Sequence, residues 1–249
     1  MPKPWRPMAP AKIMWGITAY GPFPYAPVYT SHLRAMAFAT RYFEVDLADG
    51  TVFAGIGSTD RTYTHAAENR LADELLQSDA THLFMTEMDM ILPKHAIPSL
   101  LELDKPVVSG VYFLRGGNGQ PCLYKKVLTP PDNPYVHSPV HVFPRSGPFR
   151  IDCPGLGCVL IHRSVFERVE RPWFDLSAAK YGSDMYFYTK VKQAGIEVWA
   201  HPGVYCDQID YTVVGYRDYV KRLQTDPEFA KTGFLIGMDE AALRDNGHG

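Results

Sequence analysis

Short apolar runs alternate with amphipathic segments along most of this chain of 249 residues. Brief apolar runs bounded by Gly, Pro or Asp are typical of buried strands, whereas apolar residues three or four positions apart are typical of helices. Strands are predicted at 12–19, within 43–50, and at 83–85, 106–113, 158–162 and 196–200. Helices are predicted at 32–42 after an N-cap at Ser31, at 62–77, 93–103, 181–194 and 215–224, and from Ser164 onward.

This alternation predicts an α/β fold with a mostly parallel central sheet and helices on both sides, because a helix usually joins two parallel strands. The segment 115–150 is rich in Gly and Pro and predicts short antiparallel strands and long loops. We therefore expect one domain with two halves, of which the second is the smaller.

Composition narrows the class of protein. Hydrophobic residues make up 46% of the chain, enough for a full core, and a net charge of −2 does not indicate a nucleic-acid binder. No apolar stretch approaches the ~20 residues needed to cross a bilayer, and the Pro-rich first ten residues are unlike a signal peptide. Four cysteines without Cys-x-x-Cys spacing favour reduced thiols in a cytoplasmic protein over a zinc site.

The segment THLFMTEMDMILP, residues 81–93, ends a buried strand in two acids. Glu87 and Asp89 are two positions apart, so their side chains point the same way in an extended segment. Ligands of open α/β sheets bind beyond the carboxyl ends of the strands. Paired carboxylates there can hold a divalent cation together with phosphate oxygens, although a solvated pair at the start of a loop has the same pattern.

Four motifs in a fixed order resemble the family 2-like glycosyltransferases of GT-A fold. They are TEMDM with its proline-led helix, the strand DKPVVSGVYF, the turn CPGLGCVLIHRSVFE, and the stretch YGSDMYFYTKVKQAGIEVWAHPGVYCDQI. The resemblance covers roughly residues 12–211. It implies one GT-A-like domain in which 12–115 bind a nucleotide-sugar donor and 116–214 face the acceptor, with a helical tail at 215–249.

The resemblance also implies roles for individual residues. The general base that takes the proton of the acceptor hydroxyl would be Asp184. A Mn²⁺ or Mg²⁺ ion would be held by Glu87, Asp89, Asp207 and Gln208. Contacts to the nucleotide, expected to be UDP, would come from Thr18, Ala19, Tyr20, Arg61, Asn69, Arg70, Glu87 and Met88. Contacts to the sugar or to an acceptor of unknown identity would come from Gly155, Leu156, Gly157 and Trp173.

Two acidic positions depart from the family pattern. Glu87 stands where the first Asp of an Asp-x-Asp motif is usual, and it can still contact ribose or metal with its longer side chain. Ser183 precedes Asp184 where a second acid is usual, so only one of the two acids is kept.

The late histidine that often completes the metal site of this family is also replaced. Asp207 and Gln208 stand in its place, and His201, seven residues before Gln208, reaches the site only if the loop folds back. We expect metal binding to be weaker, or to come mainly from Asp89.

Each assignment has a structural alternative. Asp184 suits a helix N-terminus, which favours acids. Trp173 suits the core as well as a sugar platform. Asn69 and Arg70 also suit a solvated helix face, and the two glycines suit an ordinary turn.

Two other functions stay open. A nucleotidyltransferase shares the sheet and the paired acids, but that class usually has a Gly-rich loop with Lys or Arg after the first strand. The segment TAYGPFPYAP contains neither Lys nor Arg, which counts against this class. A non-catalytic carbohydrate- or nucleotide-binding protein would account for the altered positions at Glu87, Ser183 and Gln208.

Overall fold

The computed structural model describes residues 11–18, 26–41, 44–47, 63–116, 119–126, 137–177, 182–209, 213–231 and 234–235. Strands and helices alternate in its first half. The elements there are β1 (Lys12–Thr18), α1 (Ala26–Ala39), β2 (Glu44–Leu47), α2 (Thr64–Gln77), β3 (His82–Glu87), β4 (Met90–Ile91), α3 (Ala96–Leu101) and β5 (Val107–Val111).

The second half begins with short strands and ends with helices. Its strands are β6 (Leu123–Lys126), β7 (His137–Val142), β8 (Phe149–Ile151), β9 (Cys153–Pro154), β10 (Cys158–His162), β11 (Val198–Tyr205), β12 (Asp207–Ile209), β13 (Val213–Val214) and β14 (Phe234–Leu235). Its helices are α4 (Arg163–Arg168), α5 (Ser183–Gln193), α6 (Tyr216–Thr225) and α7 (Pro227–Lys231). No helix of the described residues is long and apolar enough to span a bilayer.

A seven-stranded sheet in the order β2-β1-β3-β10-β5-β11-β8 forms the centre of the molecule. The strands β2, β1, β3, β5 and β11 run in one direction, while β10 and β8 pair antiparallel to their neighbours. The predicted α/β class with a mostly parallel sheet is confirmed.

Alternate residues of the central strands enter two separate cores. In β1, Met14 faces one core, while Ile13 and Trp15 face the other. The first core holds apolar residues of α2, α4 and α5, such as Leu71, and the second holds those of α1 and α3, such as Ala35. Because a strand presents successive side chains to opposite faces, this division puts helices on both sides of the sheet, as predicted.

The first helix differs from its prediction. It begins at Ala26, six residues before the predicted start, so Ser31 is not its N-cap. Ser31 lies inside the helix, where its hydroxyl donates to Val28 O at 2.7 Å and accepts from Leu92 N at 3.1 Å. Pro27 lies in the first turn, the one part of a helix where a missing N–H removes no hydrogen bond.

Two small sheets flank the large one. The first has the order β14-β7-β6-β9, and its antiparallel pairs β6–β7 and β6–β9 agree with the prediction of short strands after residue 115. The second has the order β13-β12-β4, with β12 antiparallel to β4. This second sheet joins the late segment of the chain to the residues that follow β3.

Candidate active site

The ends of β1 and β3 lie side by side at the carboxyl edge of the sheet. The two strands are parallel, with Thr18 opposite Glu87. The Met88 backbone N–H donates to Thr18 O at 3.0 Å, which holds the chain at the point where the acids begin. Thr18 is buried, and Ala19, Tyr20 and Arg61 lie outside the described residues.

Asp89 contacts two polar side chains from distant parts of the chain. Gln208 Nε2 donates to Asp89 Oδ2 at 3.0 Å, and Arg115 Nη1 lies 3.4 Å from the same oxygen. Ile209 N donates to the Asp89 carbonyl oxygen at 2.8 Å, through the pairing of β12 with β4. The structure thus brings Gln208 to Asp89 as the resemblance implied, and it adds Arg115, which the sequence did not single out.

Asp207 lies away from this contact. It is next to Gln208 in β12, so its side chain points to the opposite face of the strand. Its Oδ1 lies 1.9 Å from the point where a side chain on Gly215 would begin. Burial and the charge of Asp218 raise the pKa of Asp207, while Arg217 opposes the rise. The expected ligand role of Asp207 is therefore not supported by its position.

Asp184 begins the acceptor-side helix. It is the second residue of α5, after the N-cap residue Gly182, and its Oδ1 accepts from the Met185 backbone N–H at 2.8 Å. The position is therefore a first-turn acid and not an N-cap. Gly182 has φ 149°, and a side chain there would begin 2.3 Å from Asp184 Oδ1. The glycine leaves the space that this carboxylate occupies.

Asp89 and Asp184 both lie within electrostatic range of Glu87. Burial raises the pKa of Glu87 to about 8, and the charges of Asp89 and Asp184 add to the rise, while Arg115 opposes it. Burial also raises the pKa of Asp184 to about 6, although hydrogen bonds from the backbone lower it. Carboxylates from both halves of the chain thus share one partly desolvated region.

Glu68 is a fourth acid of this region that the sequence reasoning did not assign to the site. It is 3% exposed, and burial raises its pKa to about 8, with its hydrogen bond to Ser183 opposing the rise and the charges of Asp184 and Glu87 adding to it. Its Oε2 accepts no hydrogen bond from the described residues. The sequence does hold an indication of this position, because Glu68 is three residues before Leu71 and so lies on the apolar face of α2.

The glycine turn packs against Tyr112 and against Thr86, the residue before Glu87. Thr86 Oγ1 donates to Gly157 O at 2.8 Å, and the Gly157 N–H donates to the Tyr112 hydroxyl at 3.3 Å. A side chain at Gly155 would begin 1.7 Å from the same hydroxyl. Glycine is therefore required for this close packing, while Leu156 is buried in the core and offers no surface to a ligand.

Three other predicted ligand contacts have structural roles. Asn69 Nδ2 donates to His65 O and Phe174 O at 2.7 Å each, and its Oδ1 accepts from Trp173 N at 3.0 Å. Trp173 is 2% exposed, and its indole N–H donates to Val169 O at 2.9 Å, so the ring offers no face to a sugar. Arg70 is exposed and pairs with Glu74, one turn along α2. The structure brings none of the three to the acids.

The donor atoms around Asp89 suit a hard cation. Gln208 is 3% exposed, and its Oε1 accepts no hydrogen bond from the described residues. Mg²⁺ is bound by oxygen atoms, often by one or two carboxylates together with water and phosphate. Asp89 and Gln208 fit that pattern, whereas no three His, Cys, Asp or Glu side chains among the described residues are placed to hold a metal. His201 lies elsewhere, beside Glu102 and His95; burial lowers its pKa, the charge of Glu102 opposes the change, and the charge of His95 adds to it.

No protein-family model matches this chain, and no protein of curated description matches it in sequence. Solved structures do match. A197 from STIV has 16% identity and a TM-score of 0.51, with 80% of this chain and 86% of that chain covered. UTP-bound UGPase from Acinetobacter baumannii has 8% identity and a TM-score of 0.46, covering 96% and 100%. The inositol-1-phosphate CTP transferase from T. maritima has 10% identity and a TM-score of 0.44, covering 88% and 98%. At these identities, the likeness concerns the fold alone.

Proposed function

We propose that this protein is a glycosyltransferase that moves a sugar from a nucleotide-diphosphate sugar, with UDP-sugar as the expected donor, to an acceptor hydroxyl. One observation carries the proposal. Asp89, beyond the end of β3, and Asp184, at the start of α5, both act on the pKa of Glu87. Acids from both halves of the chain therefore lie within electrostatic range of one carboxylate at the carboxyl edge of the sheet, where ligands of such folds bind.

The chemistry follows from the roles of these groups. Asp184 accepts the proton of the acceptor hydroxyl while that oxygen forms a bond to the anomeric carbon and the bond to the diphosphate breaks. Glu87, which is opposite Thr18, would bind the nucleotide hydroxyls. Asp89 and Gln208 would hold a divalent cation, which would neutralise charge on the departing diphosphate. Arg115 is the cation beside Asp89 and is placed to bind the same phosphates.

The test uses donor cleavage, so it does not need the acceptor. UDP-sugars are supplied with Mn²⁺ or Mg²⁺, and release of UDP is measured for the wild type, Asp184→Asn and Asp218→Asn. Asparagine keeps an oxygen that can accept the Met185 N–H but cannot take a proton. Loss of a general base lowers rates by ~10²–10⁴-fold, so Asp184→Asn is expected to cut UDP release by at least ~10²-fold with donor binding unchanged.

Asp218 is the matched control, because it is also an acid in the first turn of a helix and accepts from the Gly215 N–H at 2.9 Å. Its replacement should leave the rate unchanged. Equal rates for wild type and Asp184→Asn would mean that Asp184 only stabilises the helix start, and the base would have to be another group. Failure of every sugar nucleotide to bind or react would overturn glycosyl transfer itself.

Nucleotidyl transfer is the second candidate, and it is the activity that the T. maritima CTP transferase has by name. The same acids suit a nucleoside triphosphate and a sugar phosphate. The two candidates differ in their products. A nucleotidyltransferase joins a hexose 1-phosphate to a nucleoside triphosphate and releases pyrophosphate, whereas the glycosyltransferase releases UDP from a UDP-sugar. Pyrophosphate release under these conditions, without UDP release from UDP-sugars, would replace the first proposal by the second. A protein that binds these ligands and catalyses neither reaction would be a binding protein.

A further inference from the structure

A cavity of about 370 Å³ lies in the second half of the chain, and none of the acids of the candidate site lines it. Its walls come from β6, β8, the end of α5 and the turn before β11. Three cationic side chains, Lys125, Arg150 and Lys192, line it together with Asp152 and Glu197. Its size is within the range of small-molecule sites, ~300–1,000 Å³.

Both oxygens of each acid in the cavity already contact a cation or an N–H group. Asp152 Oδ1 lies 2.8 Å from Lys192 Nζ, and its Oδ2 accepts from the Lys126 backbone N–H at 2.9 Å. Glu197 Oε1 pairs with Arg150, and its Oε2 accepts from the Trp199 indole N–H at 3.2 Å. Each carboxylate is therefore already engaged through both oxygens.

Lys125 is the cation left over. It is half-buried, and its ammonium group has no hydrogen bond or ion pair with a described residue. Burial lowers its pKa, Asp152 opposes the change, and the charges of Lys192 and Arg150 lower it further. Three positive groups thus line one cavity with two acids, and the most buried of the three, Lys125, is the one that an added anion would stabilise most.

Arg150 is held in position by its surroundings. Its guanidinium lies 5.5 Å from the centre of the Trp199 ring, and one of its nitrogens pairs with Glu197. The remaining N–H groups of a guanidinium form a rigid fork that suits oxyanions. A lysine ammonium beside such a fork is a common arrangement for binding phosphate.

We propose that Lys125, Arg150 and Lys192 form a binding site for an oxyanion of the phosphate class, separate from the candidate active site. Lys192 and Asp184 are eight residues apart on α5, which corresponds to about 12 Å along the helix. The anion is either free phosphate or the phosphate of an organic ligand such as a sugar phosphate. The site does not depend on the proposed glycosyl transfer.

The experiment measures binding of inorganic phosphate to the whole protein by calorimetry and thermal shift, with chloride at equal ionic strength as the reference. The variants are Lys125→Gln, Arg150→Gln and the control Lys221→Gln, which removes the same charge from an exposed position of α6. Loss of one charged hydrogen-bonding partner should weaken phosphate binding by about tenfold or more in the first two variants. The Lys221→Gln protein should bind as the wild type does.

Two further readouts decide the ligand and guard against misfolding. In phosphate-free buffer, Lys125→Gln should unfold at the wild-type temperature or above, because it removes an uncompensated charge. Hexose 6-phosphate binding more tightly than inorganic phosphate would identify an organic phosphate as the ligand, and equal binding would identify the free anion. Equal phosphate affinity in the wild type and in both cavity variants, or a phosphate effect no larger than that of chloride, would overturn the proposal.

Discussion

The contrast between Asp89 and Asp207 shows how one residue's position decides its role. Both acids were expected at a metal site, yet Asp89 contacts Gln208 and Arg115 while Asp207 lies on the other face of β12. We predict that Asp89→Asn abolishes the Mn²⁺-dependent part of UDP binding, because it removes the carboxylate that contacts Gln208. Calorimetry with and without Mn²⁺ measures this, and Asp207→Asn is the matched control.

The expected control result is unchanged Mn²⁺ dependence in Asp207→Asn. If Asp207→Asn lost the Mn²⁺ dependence of UDP binding and Asp89→Asn kept it, the face of β12 that carries Asp207 would be the one that meets the ligand.

His32 provides a prediction about acid stability. It is 9% exposed, its ring contacts Trp15, and its Nε2 lies 2.9 Å from Met90 O. Burial lowers its pKa to about 4, although the hydrogen bond to Met90 opposes the change. The unfolded chain binds this proton near pH 6.5 and the folded protein only near pH 4, so the free energy of unfolding falls as pH decreases across that window.

A shift of this size corresponds to roughly 3 kcal/mol for one group. His32→Gln removes the titration, so its free energy of unfolding should depend less steeply on pH between 6.5 and 4 than that of the wild type. Chemical denaturation at a series of pH values gives both slopes. Parallel slopes would mean that His32 is already protonated in the folded protein.

At the scale of residues, the sequence alone predicts some members of the candidate site and misses others. The pair Glu87 and Asp89 could be found because an apolar run leading into acids is visible in one segment. Arg115 and Glu68 could not be assigned, since their places depend on how the segment after β5 and the helix α2 pack against the acids. Trp173 was ambiguous because an aromatic residue suits either a core or a sugar platform.

At the scale of elements, Asn69 joins α2 to the segment before α5. Its amide binds four backbone groups, since Phe174 N also donates to its Oδ1 at 3.2 Å. Asn69→Ala removes the side-chain partner of three backbone groups of the buried residues Trp173 and Phe174 and should lower the free energy of unfolding by about 2–4 kcal/mol, while UDP affinity stays near wild type. Denaturant unfolding and calorimetry measure the two quantities.

Arg70 is the matched control, because it is adjacent to Asn69 on α2 but exposed, with one ion pair to Glu74. Arg70→Ala should change stability by less than ~0.5 kcal/mol. A large fall in UDP affinity for Asn69→Ala without a loss of stability would restore the nucleotide-contact role that the sequence suggested.

Element boundaries were predictable where local signals were strong. The strand β10 has the predicted bounds, since its apolar run stops at a helix start marked by Ser164. The sequence predicts the start of the first helix too late, because Pro27 follows a segment rich in Pro and Gly that is typical of loops. In the structure, Pro27 lies in the first turn of the helix. The start of this helix also depends on packing, since Val28 in its first turn is buried. Local spacing alone does not show such a contact.

At the scale of the whole molecule, the sheet class followed from the alternation of elements, but the strand order did not. The antiparallel strand β10 lies between β3 and β5, although it follows both in the chain by many residues. This insertion places the glycine turn before β10 against Thr86 and Tyr112. Periodicity reports which residues are buried, and it carries no information on which distant strands are neighbours.

The pairing of β12 with β4 has a consequence for the order in which the protein matures. Gln208 and Asp89 are 119 positions apart, so the ribosome adds the amide long after the acid. At ~5–20 residues per second, the delay is roughly 6–24 s. A nascent chain spends that interval with its donor-side acids made but without the strand that closes over them. The growing polypeptide therefore acquires β1 to β5 before the Gln208 amide can reach Asp89, and this contact forms only after β12 has been made.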